Sequence, residues 1–136
     1  MILVDTSAWF EFDRATGSTV DRRLLHLVRN DGDVAVTEPV IMEVVAGART
    51  DERERDLRRL LARFALLRFD PVIDFDGAAR IYRRCRRAGV TPRGTVDCMI
   101  ASVASRHGAT LLAADRDLTA VAGVIGIGLD GATSAS

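Results

Sequence analysis

Asp5 closes the apolar run Met1-Ile2-Leu3-Val4, and Asp115 closes Thr110-Leu111-Leu112-Ala113-Ala114, with Asp117 two residues further on. Glu43 and Asp97 stand among apolar neighbours, in Ile41-Met42-Glu43-Val44-Val45 and Val96-Asp97-Cys98-Met99-Ile100. A carboxylate in such surroundings is costly unless it is paired or binds a cation. Taken singly, each acid reads as a helix cap or as the partner of an arginine. Taken together they ask for one explanation, and convergence on a common site supplies it. Two like unit charges about 4 Å apart repel by on the order of 4 kcal/mol at an effective dielectric of about 20. A hard divalent cation relieves that repulsion and leaves ligand positions open. Oxygen ligation with few protein ligands and several waters suits Mg2+, with Mn2+ as a substitute. Zinc is disfavoured, because His26 and His107 lie far apart in the sequence and Cys85 and Cys98 lack metal-ligand spacing.

What the chain lacks narrows the chemistry. All 19 basic residues are arginine, matched by 19 acids, so the net charge is zero and gives no bulk steer toward nucleic acid. A phosphatase of the haloacid-dehalogenase type needs a second aspartate two residues after the first, where Ser7 stands, and a lysine besides. A response-regulator receiver and a phosphate-binding P-loop need a lysine too. Metal-dependent hydrolysis of a phosphodiester remains, the cation supplying the charge stabilisation.

With 136 residues, 48% of them hydrophobic, the chain is long enough for one domain with a real core. Its apolar runs fall short of the ~18 residues that span a bilayer. No basic segment of secretory type opens it, and two cysteines make no disulfide framework. A cytoplasmic protein with no membrane association is expected.

The elements that must position the acids alternate. Strands are expected at 1–5, 34–36, 65–69, 110–115 and 124–127. Thr6 or Ser7 caps a short helix through Ala8–Phe12. Val20, Leu24, Leu27 and Val28 share one face of the next helix. Thr37 caps a helix that carries Glu43 and ends near Gly47, and Asp51 to Arg63 forms another. Asp74 to Arg87 is helical, and Thr95 caps the helix of Asp97, which stops at His107-Gly108. Short apolar strands between helices predict an α/β fold, a five-stranded parallel sheet flanked by helices. The domain is expected over 1–130, with a flexible tail at 131–136. In open α/β sheets ligands bind at the carboxyl ends of the strands, where Asp5 and Asp115 lie.

Four pieces in this order resemble the PIN-domain nucleases, and among them the VapC-type toxins of bacterial type II toxin–antitoxin systems. They are Leu3-Val4-Asp5-Thr6-Ser7-Ala8, Glu38-Pro39-Val40-Ile41-Met42-Glu43-Val44, Val96-Asp97-Cys98-Met99-Ile100-Ala101, and the stretch from Gly108 to Leu118. One departure is Leu118, where the family carries an aromatic. The resemblance implies a single PIN-like domain and an acidic quartet, Asp5, Glu43, Asp97 and Asp115. Asp5 and Asp97 would bind Mg2+ or Mn2+ directly, Glu43 and Asp115 more through water, with Asp117 as an accessory. Thr6, Ser7 and Thr95 would hold waters or phosphate oxygens. It further implies an endoribonuclease that uses a metal-activated water and stops translation. Its partners would be RNA and a cognate VapB-type antitoxin, in a homodimer and a toxin–antitoxin hetero-oligomer.

Other features have two readings each. Arg80 to Arg87 holds five arginines in eight positions, either a phosphate-binding face or a solvated helix with Ile81, Tyr82, Cys85 and Ala88 inward. Arg93, two residues before Thr95, is placed to meet a bound strand. Trp9, Phe10 and Phe12 are core, or a groove for a partner helix. The competing function is a catalytically silent PIN fold that binds RNA or a partner.

Overall fold

The computed structural model describes residues 1–133. Among these the chain forms four strands and seven helices. They are β1 (Ile2–Val4), α1 (Thr6–Asp13), α2 (Thr19–Arg29), β2 (Val34–Val36), α3 (Glu38–Ala46) and α4 (Asp51–Leu61), followed by β3 (Ala65–Leu66), α5 (Ile73–Arg87), α6 (Thr95–His107), β4 (Thr110–Leu112) and α7 (Arg116–Ile125).

The strands are all parallel, in the order β3-β2-β1-β4. Leu3 of β1 sits between Ala35 of β2 and Leu111 of β4. Leu3, Val4, Ala35, Leu111 and Leu112 are fully buried, which is why these strands read as unbroken apolar runs rather than alternating ones. From β1 the chain winds outward through β2 to β3, then returns through α5 and α6 to lay β4 on the other side of β1. The strand order therefore reverses between β1 and β4, and a crevice opens there at the carboxyl ends of the strands.

Helix α5 lies antiparallel to α6. Asp74, at the start of α5, accepts hydrogen bonds from Ser102 Oγ (2.8 Å), in the second half of α6, and from Arg106 (2.7 Å), at its far end. The end of α5 consequently lies beside the start of α6, at the crevice end of the molecule.

The expected fifth strand at 124–127 is corrected. Asp115 caps α7, whose Leu118, Val121 and Ala122 point into the core at helical spacing, and the helix runs on through Ile125 to a left-handed Gly126 (φ 80°). The edge position is taken later, by Leu129 in a single parallel bridge to Leu111, with Asp130 N donating to Leu111 O at 2.8 Å. Of the expected tail, Thr133 Oγ1 donates to Leu111 O at 3.0 Å, and residues 134–136 lie outside the described residues. The cap of α1 is Asp5 rather than Thr6 or Ser7, and the cap of α6 is Gly94 rather than Thr95. Ala88, expected inward, caps the end of α5 and is exposed.

Candidate active site

Asp5 ends β1 and caps α1, so its carboxylate stands at the mouth of the crevice. Its Oδ2 accepts from Ser7 N (3.1 Å) and Ser7 Oγ (2.5 Å). The Ser7 hydroxyl in turn accepts from Ala114 N at 2.9 Å, three residues before Asp117 on the segment leaving β4. One hydroxyl thus ties the ends of the two strands that flank the switch point and fixes the Asp5 rotamer. Thr6, the next residue, donates through Oγ1 to Glu43 Oε1 at 2.6 Å and so orients the acid of α3 from the first turn of α1. Asp115 caps α7 by accepting from Asp117 N at 2.9 Å. Asp97 lies in the first turn of α6, and no donor hydrogen-bonds its carboxylate among the described residues.

Asp5 and Asp115 are helix caps, which is the local account of each. The caps do not cancel their charges, and the acids still feel one another. Burial, then the proximity of Asp115 and Glu43, pushes the Asp5 carboxyl up to about 6 despite the bonds from Ser7. Burial and the charges of Asp5, Asp115, Glu43 and Asp117 push Asp97 up to about 7. The structure therefore brings Asp5, Glu43, Asp97, Asp115 and Asp117 into one electrostatic neighbourhood.

Arg93, expected to meet a bound strand, lies beside the acids at the mouth of the crevice. Its guanidinium pairs with Asp117 and reaches Asp115 Oδ1 at 3.4 Å, forming one wall of a cleft of about 480 Å³ that Ser7, Ala114 and Arg116 also line. Thr95 is exposed and makes no capping bond. Trp9 is core, buried to 1% exposure, and its ring meets Phe12 edge-on and Phe64 at a tilt. Sequence reasoning missed Ser7 as the brace of Asp5. The signal was there in Asp5-Thr6-Ser7, since an aspartate before a serine two residues on is a local hydrogen-bonding motif.

Among the described residues, no three histidine, cysteine, aspartate or glutamate side chains are grouped closely enough to hold a metal unaided. The donor set still fits one kind of ion. It is all oxygen, and its two most perturbed members, Asp5 and Asp97, are raised in part by charges of their own sign. Mg2+ commonly takes one or two carboxylates and fills the rest of its shell with water.

Comparison with known proteins agrees with this geometry. The PIN domain model matches residues 2–124. The chain is 44% identical over 123 residues to Ribonuclease VapC11 of Mycobacterium tuberculosis, covering 90% of this chain and 92% of that protein. Among solved structures, VapBC2 from Rickettsia felis bound to a promoter DNA fragment aligns with TM-score 0.72 at 18% identity, over 96% of this chain and 98% of that one. Mycobacterium tuberculosis VapC20, a sarcin-ricin loop cleaving toxin, aligns with TM-score 0.62 at 20% identity, over 88% and 94%. The strand order, the acids around the switch point and a match over nearly the whole chain agree: it belongs to the PIN-domain family.

Proposed function

We propose that the chain is a Mg2+-dependent endoribonuclease, the toxin of a toxin–antitoxin pair, working in the cytoplasm and stopping translation by cutting RNA. The carrying observation is the convergence of the acids at the carboxyl ends of adjacent parallel strands, Asp5 after β1 and Asp115 after β4, with Ser7 tying the two strand ends and Thr6 holding Glu43. Burial and like charges raise Asp5 and Asp97 there. Acids so placed are held together for a cation or for a proton, and the identity to VapC ribonucleases favours the first. Mn2+ is the natural substitute.

Asp5 and Asp97 would hold the ion, with Glu43 and Asp115 acting through water and Asp117 as an accessory. When bound, the ion supplies activation of water and neutralisation of charge on the leaving oxygen. The chain's own residues do the rest. Ser7 fixes the Asp5 carboxylate, and Thr6 fixes Glu43. Arg93 offsets the charge of Asp115 and Asp117 and stands at the cleft wall where a phosphate enters. Thr95, exposed at the start of α6, faces solvent beside Asp97 in sequence and is free to meet substrate. By the same resemblance, a VapB-type antitoxin restrains the enzyme, in a hetero-oligomer built on a toxin homodimer.

The second reading, a silent PIN module, leaves unexplained why two acids are held at a mutual cost that a non-cutting domain has no use for. Incubating the purified chain with total RNA separates the two. Cleavage in Mg2+, arrested by EDTA and leaving 5′-phosphate ends, is the expected result. Intact RNA in Mg2+ or Mn2+ would assign the silent module, and 2′,3′-cyclic phosphate ends formed in EDTA would leave the acids without a catalytic role.

A further inference from the structure

The acidic crevice creates a difficulty for any polyanionic substrate, because it repels phosphate and the chain has no net positive charge to offset this. Attraction must come from a local concentration of cations at the same end of the molecule. The second half of α5 has one. Arg83, Arg84, Arg86 and Arg87 are exposed, and among the described residues no carboxylate pairs with any of them. Three of the four arginines of α4 differ: Arg53, Arg58 and Arg59 are answered by Asp13, Glu54 and Asp56.

A helix C-terminus favours cations through its dipole, which accounts for arginine in the last turn. It does not account for crowding at i,i+3 and i,i+4 spacing, where like charges destabilise a helix. Arg83, Arg86 and Arg87 line a shallow depression of about 240 Å³, and the Arg86 guanidinium lies 5.7 Å over the Tyr82 ring. Location completes the case. The antiparallel packing of α5 on α6 puts these arginines at the crevice end, and the loop that follows leads directly to Arg93 on the cleft wall.

We propose that Arg83, Arg86 and Arg87 form a backbone-binding track for RNA outside the cutting site, holding a substrate long enough to reach from the acids to the end of α5. This rests on the ribonuclease reading and adds to it where the affinity for RNA comes from. Each phosphate neutralised on a single strand contributes about 0.7 to the slope of log affinity against log salt.

The test is the salt dependence of binding to a fluorescein-labelled RNA hairpin with long single-stranded arms, by anisotropy in EDTA so that nothing is cut. The triple variant R83Q/R86Q/R87Q should lower the slope by about 2 and weaken binding at low salt by at least about tenfold. The lysine triple R83K/R86K/R87K keeps the charge and should keep the slope. R22Q/R29Q/R55Q removes as much charge from exposed positions on α2 and α4 and should bind as the unaltered chain does. Equal melting temperatures show that the variants compared are folded. A wild-type slope in the α5 glutamine triple, or an equal loss in the α2/α4 triple, overturns the track. If the unaltered chain cuts total RNA in Mg2+ yet does not bind the hairpin, the track falls and the ribonuclease reading stands. If it neither binds nor cuts, both fall.

Discussion

Asp5 and Asp97 each sit in a carboxylate's least comfortable setting, and their proton affinity records it. Both are raised from 3.8, to about 6 and about 7. Between about pH 4 and 7 the native metal-free chain therefore holds protons that the unfolded chain has already released, and it loses stability as pH rises through that window. Below pH 4 both states are protonated and the penalty is absent. For Asp5, which is 2% exposed, a rise of about two units corresponds to about 3 kcal/mol. Urea unfolding in EDTA should show stability falling from pH 4 to 7, and a flat or rising profile would refute it. Asp97→Asn removes the charge at one of the two sites. It should abolish cleavage while raising the metal-free melting temperature at pH 7.5 by about 3–6 °C, with the gain vanishing near pH 4.5. Full nuclease activity in Asp97→Asn or Asp5→Asn would remove these residues from the site.

At the scale of elements, α5 and α6 approach so closely that Gly77 leaves no room for a side chain. A Cβ there would lie 2.4 Å from Ser102 Oγ, the hydroxyl that donates to the fully buried Asp74. Gly77→Ala gains about 1 kcal/mol of helix propensity, yet it must turn Ser102 away and strip Asp74 of a donor, which costs about 1–3 kcal/mol. Chemical denaturation should find Gly77→Ala destabilised, and less so on a Ser102→Ala background, where the hydroxyl clash is gone and only the contact with the residue 102 Cβ at 3.3 Å remains. Equal effects on both backgrounds would show that the contact is not felt. This network was hidden from the sequence, because Asp74 and Arg106 lie 32 residues apart and no local pattern joins them. The acids were legible for the opposite reason. Asp5 interrupts an apolar strand end and Asp97 an apolar helix face, so each breaks a period that the eye can follow. The misread fifth strand shows the limit. Val124-Ile125-Gly126-Ile127 is β-branched and short, and so few residues do not distinguish periods of 2 and 3.6. The Asp115 cap and the burial of Leu118, Val121 and Ala122 decide for the helix.

For the whole molecule, the candidate acids gather at one end of a parallel sheet with a buried apolar core. No helix among the described residues is long and apolar enough to cross a membrane, and the acids gather where the strand order reverses. Such a site invites any guanidinium that can reach it. Arg93 already pairs with Asp115 and Asp117 from within the chain, and Asp5 and Glu43 each accept from a hydroxyl, so an arginine from a bound antitoxin would meet Asp97 first, where a bidentate grip favours arginine over lysine. On this basis an antitoxin arginine is expected to compete with a metal ion in the inhibited complex. Raising Mg2+ should then restore part of the cleavage while the complex stays intact by gel filtration. Activity that returns only on dissociation would assign inhibition to steric cover instead.

The packing of Trp9 has a practical consequence. It is the chain's single tryptophan, four residues after Asp5, and its indole Nε1 is buried without a hydrogen-bond partner among the described residues. An indole so shielded emits at short wavelength, and with excitation beyond the absorption band of Tyr82 the signal is its own. The protein thus carries a built-in optical probe on the first turns of α1, the helix that Asp5 caps. Its emission reports directly on the seating of that helix, so metal or antitoxin binding that shifts α1 can be followed in the unlabelled chain.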